Sequence, residues 1–232
     1  MTHFIGFDLE TTGVSPFLDV PVSYGFVERV TGESGVVSKR EGGYIDPGVP
    51  IPSGASAIHG ITDDMVADAT PLGEAVETVV ERLRTIWSGG DVVVGMNVSY
   101  DLTMVDSLCQ RLGWATLEQR GGVGPVLDVL ILDRRFDKWR KGSRKLTDLC
   151  ALYGVTLGSA HAAVEDAEAS LQVLEAQLQQ YPAIGDISLA SMNETLRAWY
   201  QEWLANFSQY LEKKGEAPIN AGRYEWPIHH DE

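Results

Sequence analysis

Asp8 and Glu10, in the stretch FDLET, lie two residues apart. In a strand such residues point to the same side, so both carboxylates face one way at the end of an otherwise apolar run. Two carboxylates held close repel each other unless a cation sits between them, and hard oxygen donors suit magnesium or manganese. A solvated strand end is the bland alternative. Thr11, Thr12 and Gly13 follow directly, which predicts a tight turn with backbone free to approach a ligand. A second group, NVSYD, runs from Asn97 to Asp101 behind the apolar run VVVGM. Asn97 then lies at a strand end, where ligand sites of α/β sheets gather. Asp101 falls in the first turn of the next helix, where capping alone would explain an acid. The third group is HAAVEDA, His161 to Ala167. His161 sits in a loop and Asp166 in the first turns of the following helix, so the two can reach one site from different directions. Histidine is the side chain best suited to take a proton near neutral pH. A loop histidine beside a capping acid is the alternative here. Glu165 and Glu168 are expected to point away from Asp166 into solvent.

The elements that must position these groups follow from the hydrophobic pattern. Strands are expected at His3 to Leu9, Val20 to Val30 and Val36 to Ile45, with a turn near Gly32 and Gly35. Asp46 to Gly54, DPGVPIPSG, reads as a loop, and IHGIT follows at Ile58 to Thr62. Apolar residues at helical spacing predict a helix from Leu72 to Trp87. A buried strand at Asp91 to Asn97 and a helix from Tyr100 to Leu112 come next. Val126 to Phe136 reads as a strand running into a helix. Leu146 to Tyr153 is a short helix, and Val164 to Gln179 a longer one that Pro182 ends. This order gives an α/β fold, a mixed sheet covered by helices. Beyond it, Leu189, Met192, Leu196, Trp199, Trp203, Phe207 and Leu211 recur at steps of three and four, an amphipathic helix. The expected organisation is a domain over 1–182 and a helical extension over 183–232, packed on that domain or docking a partner.

Composition narrows the function. The 232 residues are 44% hydrophobic and carry a formal net charge of -15. That supports a real core and argues against broad, non-specific nucleic-acid binding, since phosphates repel a negative field. One stretch is an exception. RRFDKWRKGSRK, Arg134 to Lys145, holds seven of the 18 basic residues against one acid, Asp137. Arg140 and Lys141 could track phosphate there and Trp139 could stack on a base; a solvated loop with Trp139 covering the core is the other reading. Cys109 and Cys150 both fall in helices and read as buried small hydrophobes, with a disulfide as the alternative. The N-terminus lacks the pattern of a secretory signal and no run is long enough to span a membrane, so a cytoplasmic location is expected.

FDLETTG, IHGIT, N-x-x-Y-D and H-x-x-x-x-D, in this order, resemble the motifs of the DEDDh family of 3′–5′ exonucleases, to which the proofreading (epsilon) subunit of bacterial DNA polymerase III belongs. The motifs span Asp8 to Asp166. The resemblance implies a ribonuclease H-like mixed sheet with flanking helices. It implies that Asp8, Glu10, Asp101 and Asp166 hold two magnesium ions, with manganese able to substitute. Asp8 would bridge both ions, Glu10 and Asp166 would complete the first, and Asp101 would act through water. His161 would be the general base for hydrolysis of the terminal phosphodiester, releasing nucleoside 5′-monophosphates. Phenylalanine often precedes the second-motif aspartate in the family; here it is Tyr100. Thr11, Thr12, Asn97 and Tyr100 are candidates for contact with the terminal nucleotide, and His59 for stacking or loop fixing. The implied substrate is single-stranded DNA or a DNA 3′ end, with a polymerase or other replication or repair protein as a possible partner. Short RNA is the alternative substrate, and a catalytically silent module of a replication complex is the alternative of another class.

Overall fold

The computed structural model describes residues 2–32, 35–156, 158, 162–219 and 223–231. The chain begins with three strands, β1 (Phe4–Thr11), β2 (Pro21–Gly32) and β3 (Gly35–Asp46). Two short helices, α1 (Ser53–His59) and α2 (Asp63–Val66), lead to the two-residue β4 (Thr70–Pro71). Helices and strands then alternate: α3 (Leu72–Ser88), β5 (Val92–Gly95), α4 (Val98–Arg111), β6 (Val126–Asp128) and α5 (Val129–Phe136). The chain continues through α6 (Leu146–Tyr153) and α7 (Ala163–Gln180), then two 3₁₀ turns, to α8 (Met192–Lys213).

The sheet order is β4-β3-β2-β1-β5-β6. β1 pairs antiparallel with β2 and parallel with β5, and β5 pairs parallel with β6. The mixed α/β sheet with flanking helices is therefore as the sequence pattern predicts. Alternation along β1 sends Ile5, Phe7 and Leu9 to one face and Gly6, Asp8 and Glu10 to the other. On the first face Phe7 stacks on Phe26 at 4.7 Å, with Arg82 of α3 above Phe26. The second face receives α7.

Several expectations need correction. The segment after Asp46 is a loop only as far as Pro52; α1 follows and buries none of its residues, so it leaves no periodic apolar signal. Ile51, Ile61 and Val66 pin this region to Val22 in a small separate cluster. Glu168 is not solvated. It is 7% exposed and takes hydrogen bonds from Arg29 Nη1 at 3.1 Å and Ser38 Oγ at 2.7 Å, with Arg40 paired to its other oxygen. Glu165 also pairs with Arg40. Cys109 and Cys150 are free and buried.

In α8 the fully buried stripe is Met192, Leu196, Tyr200 and Leu204, while Trp199, Trp203 and Phe207 lie half-buried beside it. The helix packs on β6 and α5: Asn193 Oδ1 accepts from Val126 N at 2.9 Å, and Trp199 meets Phe136 edge-on. The following segment folds back on it. Trp226 is completely buried, its carbonyl accepts from Arg197 Nε at 3.0 Å, and His229 N donates to Thr103 Oγ1 of α4 at 2.8 Å. Trp226→Ala is expected to lower stability by about 3–5 kcal/mol, measured by urea unfolding. A loss well under ~1 kcal/mol would mean that this segment does not complete the core.

Candidate active site

Asp8, Glu10 and Asp166 are brought together: one ligand oxygen from each lies within 4.8 Å of the others. Glu10 is buried, and Asp8 and Asp166 are half-buried. The register explains the meeting. Asp8 pairs with Gly25 of β2, and Gly25 pairs with Gly42 of β3. This row places two glycines beside Asp8 on the face that α7 covers. A Cβ on Gly25 would sit 2.4 Å from Val164 N, and one on Gly6 would sit 2.4 Å from Ala167 O. Only bare backbone admits the first turns of α7 that close to the sheet, and that approach carries Asp166 to Asp8.

Asp101 enters from α4. It is 4% exposed, and its Oδ1 accepts from Leu9 N at 3.1 Å. The acid is thus bound to the backbone of β1 between Asp8 and Glu10. It stands outside the close group of three but acts on it electrostatically. Burial, then Asp101, Asp166 and Glu10 in that order, push Asp8 well above the usual carboxylate range. Burial and then Asp166 push Glu10 up to about 7. Burial also raises Asp101, against hydrogen bonds that oppose the rise, with Glu10 adding to it.

The turn after β1 is built by the residues expected to touch a ligand. Tyr100 Oη donates to Gly13 O at 2.6 Å, and Thr11 Oγ1 donates to the same carbonyl at 2.7 Å. The position where the family often has phenylalanine therefore has a hydroxyl that fixes this turn. Thr12 is buried; its hydroxyl lies 3.3 Å from Asp19 Oδ1 and accepts from Val20 N. Asn97 is the only described non-glycine residue with positive φ, 59°. His59 Nδ1 accepts from Ile61 N at 3.0 Å, a loop-fixing bond. His59 also lines a cavity of about 340 Å³ with Tyr44, Met65, Val164 and Glu165.

Asp128 is a site residue that the sequence reading missed. It is 1% exposed. Its carboxylate accepts from Asn97 N and Val98 N, both at 3.1 Å, and from Leu130 N at 2.8 Å. One side chain thus caps α5 and fastens the start of α4, which carries Asp101. An acid between a strand and an apolar helical run is a cap signal that could have revealed it. Burial pushes its pKa up to about 6.

In the basic segment, Arg140 donates to Asp133 Oδ2 at 2.9 Å and Arg144 pairs with the same buried oxygen. Arg140 is therefore turned inward. Trp139 is 86% exposed and Lys141 is also exposed. His161 lies outside the described residues.

Clustered carboxyl oxygens that keep their protons to avoid mutual repulsion match what a hard divalent cation could occupy in the protons' place. Asp8, Glu10 and Asp166 could hold such an ion directly, with Asp101 beside them. The exonuclease family RNase_T matches residues 5–174. The chain is 34% identical over 164 residues to the PolC-type DNA polymerase III of Listeria monocytogenes, covering 71% of this chain and 10% of that protein. It is 31% identical over 194 residues to the PolC-type polymerase of Caldanaerobacter subterraneus, covering 84% of the chain and 13% of that protein. The chain thus spans roughly a tenth of the length of these relatives. E. coli exonuclease I in complex with a dT13 oligonucleotide shares the fold, with a TM-score of 0.63 at 20% identity, over 80% of this chain and 43% of that one.

Glu10 holds its proton more tightly folded than unfolded. The stability it contributes is therefore full below about 4.5 and is lost as pH rises through about 7. Glu10→Gln is expected to match the parent in Tm near pH 4 in the presence of EDTA and to exceed it increasingly toward pH 8. Thermal unfolding across that range checks this; a constant difference would remove the repulsion argument. A second prediction concerns the glycine row. Gly25→Ala is expected to cost about 1–3 kcal/mol of stability and to weaken manganese binding, read by calorimetry. Unchanged binding would mean that the close approach of α7 does not set Asp166.

Proposed function

We propose that this chain, which belongs to the RNase_T exonuclease family and to its DEDDh 3′–5′ type, degrades single-stranded DNA from the 3′ end and releases nucleoside 5′-monophosphates. The observation that carries the reading is the meeting of Asp8, Glu10 and Asp166 within 4.8 Å, with Asp101 tied to the same strand. The four acids are suited to hold two magnesium ions, with manganese as a substitute. Bound there, divalent ions would stabilise charge on the attacking and departing oxygens of the phosphodiester.

The chain's own residues do the rest. His161, five residues before Asp166, takes the proton from the attacking water. The bond to the departing 3′ oxygen then breaks in line with the new phosphorus–oxygen bond. Tyr100 and Thr11 hold the Gly13 carbonyl, so the turn above Asp8 and Glu10 presents a fixed backbone to the terminal sugar. Asn97, locked by Asp128, borders the same site. The cavity beside His59, Tyr44 and Met65 lies against the start of α7 and offers apolar walls for the terminal base. The similarity to PolC-type polymerases and to an exonuclease solved with an oligothymidylate supports DNA as the polymer and a replication setting.

The test is a time course on 5′-labelled single-stranded DNA with magnesium, run beside Asp8→Ala. A ladder shortening from the 3′ end is expected, with EDTA stopping it and Asp8→Ala slowing it by roughly 100-fold or more. The same sequence as RNA should be cut more slowly. Cleavage that survives both EDTA and Asp8→Ala would refute the assigned site, and faster cleavage of RNA would overturn the choice of polymer.

A further inference from the structure

A groove outside the carboxylate site joins the basic segment to α8. It encloses about 260 Å³, with Arg134, Lys138, Trp139, Trp199, Trp203 and Tyr210 among its walls. We propose that this groove is a second nucleic-acid site, which holds the single strand several nucleotides upstream of the 3′ end bound at the carboxylates. The proposal rests on the exonuclease reading of that first site.

Three observations carry it. The first is a ladder of rings along α8. Tyr200 stacks with Trp203 at 6.0 Å, Trp203 with Phe207 at 5.3 Å and Phe207 with Tyr210 at 6.2 Å. Tyr210 at the end is 49% exposed, and Trp139 on the facing wall is 86% exposed. An indole left that open is not serving the core. Exposed flat rings accept any base by stacking, at about 1–3 kcal/mol per base.

The second is charge. The Arg134 guanidinium lies 3.5 Å above the Trp203 ring, and Arg135 lies 5.2 Å above Trp199. Arg135 and Lys138 share one carboxylate, Glu202, each at 3.0 Å. Two cations on one acid leave local positive charge in a chain whose net charge is -15. These pairs are nearly half exposed, and such pairs are worth little, so a phosphate can displace Glu202. Cations interleaved with flat rings suit a strand of alternating phosphates and bases better than they suit an acidic peptide, which has no use for the rings.

The third is placement. One wall comes from α8, which lies beyond the residues 5–174 that the family model matches. The other wall is reached along α5. That helix starts at Asp128, which holds Asn97 at the first site, and ends at Phe136, against Trp199. Its eight residues span about 12 Å. A stacked strand rises ~3.4 Å per nucleotide and an extended single strand roughly twice that, so at least about two internucleotide steps are needed to cover that length. A dinucleotide bound at the carboxylates, with a single such step, therefore falls short of the groove.

The test is made on the full chain carrying Asp8→Asn, so that binding is read without cleavage. Fluorescence anisotropy is measured with a labelled thymidylate dimer and with an oligothymidylate of roughly 20 nucleotides. Lys138→Glu with Trp139→Ala, both on the surface, should weaken the long oligonucleotide by roughly tenfold or more and reduce its salt dependence. Dimer binding should stay the same. Tyr210→Ala repeats the test from the α8 side. Equal binding of the long oligonucleotide by all variants overturns the proposal, as does an equal loss for the dimer. Capture of an acidic peptide that the variants abolish, with oligonucleotide binding untouched, overturns it in favour of a protein ligand. Digestion by the unmodified chain is followed in parallel. Digestion together with unchanged binding by the variants removes the second site alone, whereas absent digestion removes the exonuclease reading whatever the groove binds.

Discussion

Asp8, Glu10 and Asp166 repel one another, and the fold holds them together all the same. The repulsion is visible in Glu10, whose carboxyl is pushed up to about 7 by burial and by Asp166. What opposes it is the docking of α7 on bare backbone at Gly6, Gly25 and Gly42. Ionic contacts reinforce that docking from below: Glu168 and Glu165 of the same helix engage Arg29 and Arg40 on β2 and β3. The helix is thus drawn to the sheet by its neighbouring acids while Asp166 is pushed away from it. A divalent cation held there would turn that push into attraction and so would link metal binding to folding stability.

The remaining acids are fixed through backbone, not through other side chains. Asp101 takes the amide of Leu9, the residue between Asp8 and Glu10, so a shift of α4 moves against β1 directly. Asp128 does the same one layer out, taking the amides of Asn97 and Val98 at the start of α4. The left-handed conformation of Asn97 is held by this clamp. Tyr100 closes the arrangement by reaching from α4 to Gly13. Helix and strand are cross-linked at both ends of the site, and relative motion of Asp8, Glu10 and Asp101 requires breaking buried or half-buried hydrogen bonds.

The parts readable in the sequence were those with a local period. β1 announces itself by its apolar run, and Asp8 and Glu10 share a face because strands repeat every two residues. α3, α4 and α7 show helical spacing. The parts that were not readable depend on register or on distant chain. Gly25 and Gly42 matter because β2 and β3 place them in line with Asp8, which no local pattern encodes. Glu168 looks like a surface acid on its own helix, and it is buried only because two arginines from the strands meet it. Arg140 reads as a free cation until Asp133, seven residues earlier, draws it inward. α1 has no buried residue and so had no apolar signal to read. Trp226 fills the space between α8 and α4 from a segment whose sequence carries no motif.

A chain of net charge -15 that handles a polyanion needs its cations in particular places. At physiological ionic strength charges are screened over about 8 Å. Acids on distant surfaces therefore contribute little at the site, and the local groups decide the field. At the carboxylates, ions bound there would set the charge that a phosphate meets, since bound cations are the largest local charges. Along α5 and α8 it is set by Arg134, Arg135 and Lys138, laid over or beside aromatic rings that stack with one another. Guanidinium over a ring is weakly hydrated and already oriented, so it gives up little water to meet a phosphate. Binding built this way would draw on stacking and a few placed cations, and an acidic remainder of the surface would disfavour adhesion elsewhere.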